Sequence, residues 1–204
     1  MTEPRFVHLR LHSEYSVTDG LVRIDPAIHK TLEMGGVALG ITDLMNVFGG
    51  LRFYTHALSA GLKTILGCDV KIKNNKFPDN PYRMTFYCMN HTGYHSLCVL
   101  LTKAFLEGQD PYRGQICDEW LDMPGATDGL IALTGGPKGR LSQLIDTGSE
   151  RQAGGIVGRW KKLFPNRLYI ELQRANRPKD ENQNAFLVTV ASRFDVPVVA
   201  THPV

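Results

Sequence analysis

An α/β fold with a mainly parallel sheet, closed into a distorted seven-stranded TIM-like barrel, is the architecture this sequence predicts. Three observations lead there. Seven short apolar runs are spread over 204 residues. Stretches of helical period separate several of them, as crossover connections would. The segments VALGIT, LIALTG and VPVVAT are apolar almost throughout, the character of strands covered on both faces. Closure is favoured over an open sheet because none of the seven runs has the polar character of an edge strand.

The strands are expected at Phe6–His12, Val37–Thr42, Thr64–Lys73, Arg83–Met89, Gly129–Thr134, Arg167–Leu172 and Val196–Thr201. Asp25 before Pro26 reads as an N-cap followed by the first residue of a helix, with Gly35-Gly36 as its stop. A second helix is expected over Asn46–Ala60, where Phe48, Leu51, Tyr54 and Leu58 recur at spacings of three and four and define one apolar face. His95–Leu106 and Arg151–Leu163 follow the same pattern, and Lys179–Phe194, after Pro178, leads into the last strand. There is no internal repeat, low-complexity tract or linker, so residues 1–204 read as one domain.

A chain this long can bury about 70% of its surface. No apolar run reaches the roughly 20 residues needed to span a bilayer, and the opening MTEPRFVHLR lacks the apolar core of a signal peptide. A cytoplasmic location and no membrane partner are therefore expected. Cys68, Cys88, Cys98 and Cys117 form no CxxC pair and read as reduced, mostly buried thiols. A net charge of +3 with scattered Lys and Arg is no nucleic-acid footprint. The chain stops at PVVATHPV, directly after a buried-looking strand, and is expected to be a piece of a longer protein.

In a barrel, functional groups gather at the C-terminal ends of strands. His8, His12, Ser13, Asp19, Asp43, Asp69 and His202 fall at or near such ends. Converging imidazoles and carboxylates are the material of a hydrolytic metal centre. A site for two or three metals needs on the order of eight or nine ligands, and these ends supply fewer. Each residue also has a structural reading: Asp19-Gly20 as a turn, Asp43 as a helix cap, His12-Ser13 as a satisfied polar pair. The sequence contains no GxxxxGK[ST], GxGxxG, HExxH or GxSxG. TGGPKGR (134–140) is the nearest approach to a phosphate-binding loop, and it is weak.

The segment FVHLRLHSEYSVTDG, from Phe6 to Gly20, closely resembles the opening of bacterial DNA polymerase III alpha subunits. The resemblance continues through ALGITDLMNVFGGLRFY, GLKTILGCDV, NHTGYHSL, GLIALTGG, LYIELQR and VPVVATHPV, in order and from end to end. These segments belong to the N-terminal PHP domain of that family, a distorted seven-stranded barrel. Members with an intact site are similar to metal-dependent phosphoesterases, and some proofread as exonucleases.

Carried over position by position, the resemblance implies a degenerate metal site. His12, Asp19 and Asp69 match ligand positions, with Asp43 nearby. Arg10, Leu44, Arg83 and Gly136 stand where further ligands are expected, and the closing Asp-x-His would begin at Pro203. A guanidinium stays protonated, repels a divalent cation and pairs with leftover carboxylates. Arg10 is accordingly expected within salt-bridge reach of Asp19, Asp43 or Asp69.

The resemblance then implies a fragment with no catalytic residue and no bound cofactor or metal. It would act as a scaffold that docks a separate proofreading exonuclease subunit and meets other holoenzyme subunits. DNA and the Mg2+ of the replicative DNA-directed DNA polymerase would be handled by the parent chain, outside residues 1–204. The alternatives are a residual phosphoesterase using His12, Asp19, Asp69 and His202, or an α/β sugar-phosphate enzyme using the 134–140 loop.

Overall fold

The computed structural model describes residues 6–73, 80–110 and 113–202. The first expected strand is present only as an extended segment laid along β1 (Ala38–Ile41). His8 makes a single parallel bridge to Leu39, and Gly40 N and Thr42 N donate to the carbonyls of His8 (2.8 Å) and Leu11 (2.9 Å). Gly40 permits this approach, because a Cβ there would sit 2.3 Å from the Leu9 carbonyl oxygen.

Helix α1 spans Ile24–Glu33 and starts two residues earlier than expected. Arg23 is the N-cap; Asp25 lies inside the first turn, where a carboxylate is favoured by the helix dipole. There it accepts hydrogen bonds from Arg52 (2.8 Å) and His56 (2.5 Å) of α2 (Gly50–Ser59). α2 begins later than the periodicity implies, because the Asn46 side chain accepts from Phe48 N (3.1 Å) and holds residues 46–49 in a turn.

The face α2 buries is also not the expected one. Phe53 and Ala57 enter the core, while Phe48, Leu51, Tyr54 and Leu58 are 73, 76, 52 and 62% exposed. A helix with apolar residues on two sides can bury only the side its neighbours cover. Here the small Gly50 and Ala57 allow the closer approach.

β2 (Lys63–Lys73) lies parallel to β1, but β3 (Tyr82–Cys88) runs antiparallel to β2 and also to β7 (Leu130–Leu133). The sheet is mainly parallel, as the apolar runs imply, and β3 alone among its described strands is reversed. The reason is the short connection from Lys73 to Tyr82: a parallel return needs a crossover of a dozen or more residues. Helix α3 (His91–Leu106) then covers the sheet, its N-terminus capped by Asn90, whose side chain accepts from Gly93 N (3.0 Å). A small hairpin, β4 (Gln109–Asp110) with β5 (Arg113–Gly114), precedes β6 (Ile116–Cys117), which adds to β2.

Beyond β7 come α4 (Arg140–Asp146), which the periodicity did not reveal, then α5 (Ala153–Leu163), β8 (Leu168–Gln173), α6 (Asp180–Phe194) and β9 (Val198–Thr201). The strand order is β1-β2-β3-β7-β8-β9, with β7, β8 and β9 parallel. The sheet curls until Arg10, beside β1, reaches Glu171 on β8. The larger core, with Phe86, Phe164, Trp160 and Met84 at its centre, fills the space between the sheet and α3–α6. A smaller one joins Leu11, Ile24, Ile28, Ile41 and Phe53. Among the described residues no helix is long and apolar enough to cross a membrane.

The two faces of α2 make a direct comparison. Phe53→Ala should cost about 3–5 kcal/mol in urea unfolding, whereas Leu51→Ala should stay within about 0.5 kcal/mol of the parent.

Candidate functional site

The mouth of the curled sheet holds a polar cleft of about 240 Å³, lined by Arg10, His12, Asp19, Arg83, Lys138, Gln173 and Arg177, among others. At its floor is Asp69, fully buried on β2. One oxygen of Asp69 accepts from Arg10 and from His12 Nε2 (2.9 Å), and the other accepts from Thr85 Oγ1 (2.5 Å). Arg10 also donates to Glu171 Oε1 (3.0 Å), which further accepts from Thr201 Oγ1 (2.5 Å) and Gln173 Nε2 (3.0 Å). Glu171 Oε2 is buried with no hydrogen-bond partner among the described residues. A single guanidinium therefore pairs with two carboxylates that are both 0% exposed.

His12 is the second connector. Its Nδ1 lies 3.0 Å from Asp19 Oδ1 at the cleft rim, so the ring links a half-exposed carboxylate to the buried one. Arg83 stands 3.6 Å from Asp19 and 3.7 Å from Asp69, too far for good hydrogen bonds but well placed to offset charge. Gly135, at φ +81°, holds the 134–140 loop against β3, where a Cβ would fall 2.0 Å from the Arg83 carbonyl oxygen. The loop thereby carries Lys138 to the rim.

The ionisation follows from these contacts. Burial would raise the Asp69 carboxyl, but the Arg10 guanidinium and the His12 ring outweigh it and hold the group far below the usual carboxylate range. Burial would likewise lower the His12 imidazole, yet the hydrogen bond and charge of Asp69, with help from Asp19, raise it. Lys138 is lowered, first by the facing Arg83 guanidinium and then by partial burial.

The structure gathers Arg10, His12, Asp19, Asp69 and Arg83 in one place. Asp43 and Leu44 are elsewhere. Asp43 is buried and accepts from Ser13 N (2.7 Å), from Ser13 Oγ (2.8 Å) and from Ser16 Oγ (2.8 Å), so it fastens the turn over 13–16 to the end of β1. Leu44 bridges to Asp69 through backbone only and packs on the core. Gly136 lies beside Gln173 and brings no donor side chain. Pro203 lies outside the described residues.

His8 is partly buried, lowered by that burial and by nearby His202, and its Nδ1 has no partner among the described residues. Of the cysteines, Cys68 is fully buried and its thiol is raised well above its ordinary value by that burial; the other three are half-buried, and all four are free. Among the described residues, no group of three or more His, Cys, Asp or Glu is arranged to hold a metal ion.

Sequence reasoning missed Glu171, with its partners Gln173 and Thr201. The signal was present in LYIELQR: a carboxylate between Ile170 and Leu172, in a strand with both faces covered, demands a buried cation. It also missed Lys138 and Arg177, which have no distinctive pattern around them.

A curled mixed α/β sheet with a polar cleft at its mouth is the form of a PHP domain. The chain belongs to the PHP domain family, whose sequence model matches residues 8–175. It is similar to the DNA polymerase III alpha subunits of Neisseria meningitidis (42% identity over 205 residues), Pseudomonas fluorescens (40% over 200) and Escherichia coli (36% over 204). These alignments take in 98–100% of the chain but only 17–18% of each relative, so the chain spans a small part of their length.

Among solved structures it resembles an amidohydrolase from Chromobacterium violaceum (TM-score 0.63, 11% identity, 97% of this chain and 86% of that one). It also resembles a two-domain protein from Bacteroides vulgatus containing a predicted PHP-like metal-dependent phosphoesterase (TM-score 0.57, 12% identity, 97% and 51%). At these identities the likeness is one of fold.

Removing the guanidinium should be severe. Arg10→Ala strands two buried carboxylates and should cost about 3–5 kcal/mol in urea unfolding. The pH dependence has two sides. Asp69 is depressed in the folded state, so its contribution is present above the unfolded value of about 3.9 and is lost as the pH falls through the lower folded value. His12 is raised, so its contribution is complete below about 6.5 and is lost as the pH rises through its folded value. Together they favour stability between about pH 4 and 6.5; urea midpoints across pH should show this, and His12→Gln should remove the alkaline decline.

Proposed function

We propose that this chain is the PHP module of a bacterial replicative DNA polymerase, and that it serves as a non-catalytic scaffold for a proofreading exonuclease subunit. In this reading the parent protein is a cytoplasmic DNA-directed DNA polymerase. Its nucleotidyltransferase site, its Mg2+ and its DNA contacts lie outside residues 1–204. Homology to polymerase III alpha subunits along the whole chain supports the parentage.

The observation that carries the scaffold reading is Arg10 seated between Asp69 and Glu171. A phosphoesterase metal site needs its carboxylates free to ligate. Here Asp69 is taken up by Arg10, His12 and Thr85, and Arg83 adds a second fixed positive charge within 4 Å. That donor set does not fit a divalent cation: the charge a metal would supply is already present as guanidinium. We read Asp19, Asp43, Asp69 and His12 as remnants of the family site, and Arg10, Leu44, Arg83, Gly136 and Pro203 as its lost positions. The reach of Arg10 from the β1 edge to β8 also supports reading the curled sheet as a distorted barrel.

The test uses the purified chain incubated with Zn2+, Mn2+ or Mg2+ and then dialysed. Elemental analysis should find no stoichiometric metal, and hydrolysis of single-stranded DNA or of small phosphodiesters should stay at background. Near-stoichiometric metal accompanied by hydrolysis would overturn the proposal in favour of a residual phosphoesterase.

A further inference from the structure

The polar cleft at the mouth of the sheet is lined unevenly in charge. Arg10, Arg83, Lys138 and Arg177 face it together with His12, and Asp19 is the one carboxylate among its described lining residues. Asp69 and Glu171 lie beneath, fully buried, with Arg10 between them. Arg177 is held by Asp180 (2.9 Å) and by Gln173 Oε1 (3.3 Å). Arg83 and Lys138 are left with donors to spare.

The Arg83 side chain is only 14% exposed, yet its contacts to Asp19 and Asp69 are 3.6 and 3.7 Å long, beyond good hydrogen-bond length. Its five N–H donors therefore open onto the cleft without a close acceptor among the described residues. Lys138, carried to the rim by the 134–140 loop, makes no hydrogen bond and no ion pair within 4 Å among the described residues. Its ammonium is lowered first by the charge of Arg83, so the two cations face each other. An anion placed between them relieves that repulsion.

Size and the position of Asp19 narrow the choice of anion. A cleft of about 240 Å³ is smaller than the roughly 300–1,000 Å³ usual for drug-sized ligands, and it suits a single tetrahedral oxyanion. Asp19 Oδ1 is engaged by His12, but Oδ2 has only the loose Arg83 contact and can accept a further hydrogen bond. Hydrogen phosphate carries a proton to donate there. Sulfate, of the same shape and charge, does not.

We propose that this cleft is a metal-independent site for hydrogen phosphate, gripped by Arg83 and Lys138 while its P–OH donates to Asp19. The planar guanidinium offers paired N–H groups to two phosphate oxygens, and the ammonium acts on a third as a point charge. The proposal does not rest on the scaffold reading, and either can fail alone.

The experiment is a calorimetric titration of inorganic phosphate into the purified chain slightly above neutral pH and at fixed ionic strength, with sulfate and methyl phosphate in parallel. Phosphate should bind saturably, and sulfate more weakly. Methyl phosphate, whose remaining acidic proton leaves near about pH 6, should follow sulfate. Arg83→Gln and Lys138→Gln should each weaken phosphate binding about tenfold or more, the scale of one lost hydrogen bond to a charged group. Lys162→Gln, which removes the same charge from an exposed position on α5, should leave it unchanged. Phosphate should also raise the unfolding temperature of the parent and not that of Lys138→Gln. Because Lys138 is exposed, that variant keeps the test open even where Arg83→Gln unfolds. Absence of saturable phosphate binding, or equal losses in all three variants, overturns the site. Sulfate or methyl phosphate binding as tightly as phosphate overturns its selection of a protonated anion.

Discussion

The pairing of Arg10 with Asp69 and Glu171 is the interaction on which the rest of the cleft depends. Asp69 comes from the second strand of the sheet, Glu171 from the fifth in spatial order, and Arg10 from the segment that precedes the first. Two buried carboxylates on the inner face of one curled sheet would repel each other and resist desolvation. Placing a guanidinium between them offsets part of both penalties and ties the N-terminal segment to the far side of the sheet. That segment is also held by backbone hydrogen bonds to β1, by Leu11 in the smaller core with its N–H donating to Thr42 Oγ1 (3.3 Å), and by the Tyr87 hydroxyl donating to the Leu9 carbonyl (2.9 Å).

The other polar groups arrange themselves around this pair in an inner and an outer shell, which His12 joins. Thr85 satisfies the Asp69 oxygen that Arg10 does not reach, and Thr201 and Gln173 share the Glu171 oxygen with it. His12, Asp19, Arg83 and Lys138 form the wetter rim, where distances are longer and charges partly offset one another. Asp43 belongs to neither. Three hydroxyl and amide donors from Ser13 and Ser16 spend it on holding the turn that follows the N-terminal segment, and so it fixes where His12 and Asp19 can sit.

How much of this was legible in the sequence depended on range. The runs that became β1, β2, β3, β7, β8 and β9 were visible from apolar patterning, since a strand with two covered faces has no other option. The reversal of β3 was not visible in that pattern, because apolar runs carry no direction; the brief Lys73–Tyr82 connection carried it. α2 was placed correctly as a helix and wrongly as to face, since periodicity shows that a helix has an apolar side without showing which side its neighbours cover. In the cleft, His12, Asp19, Asp69, Arg10 and Arg83 were legible through the family resemblance. Glu171 was hidden because its partner lies 161 positions away in the chain.

The Arg10 guanidinium has a consequence for how this domain responds to its surroundings. A metal ion holding the same carboxylates would be a ligand, and its contribution to stability would rise and fall with the free concentration of that ion. A counter-ion that is part of the chain has a fixed occupancy of one. With Arg10 in that role, both carboxylates meet a counter-charge at the moment the sheet closes. That contact is made by folding itself, and dilution does not remove it.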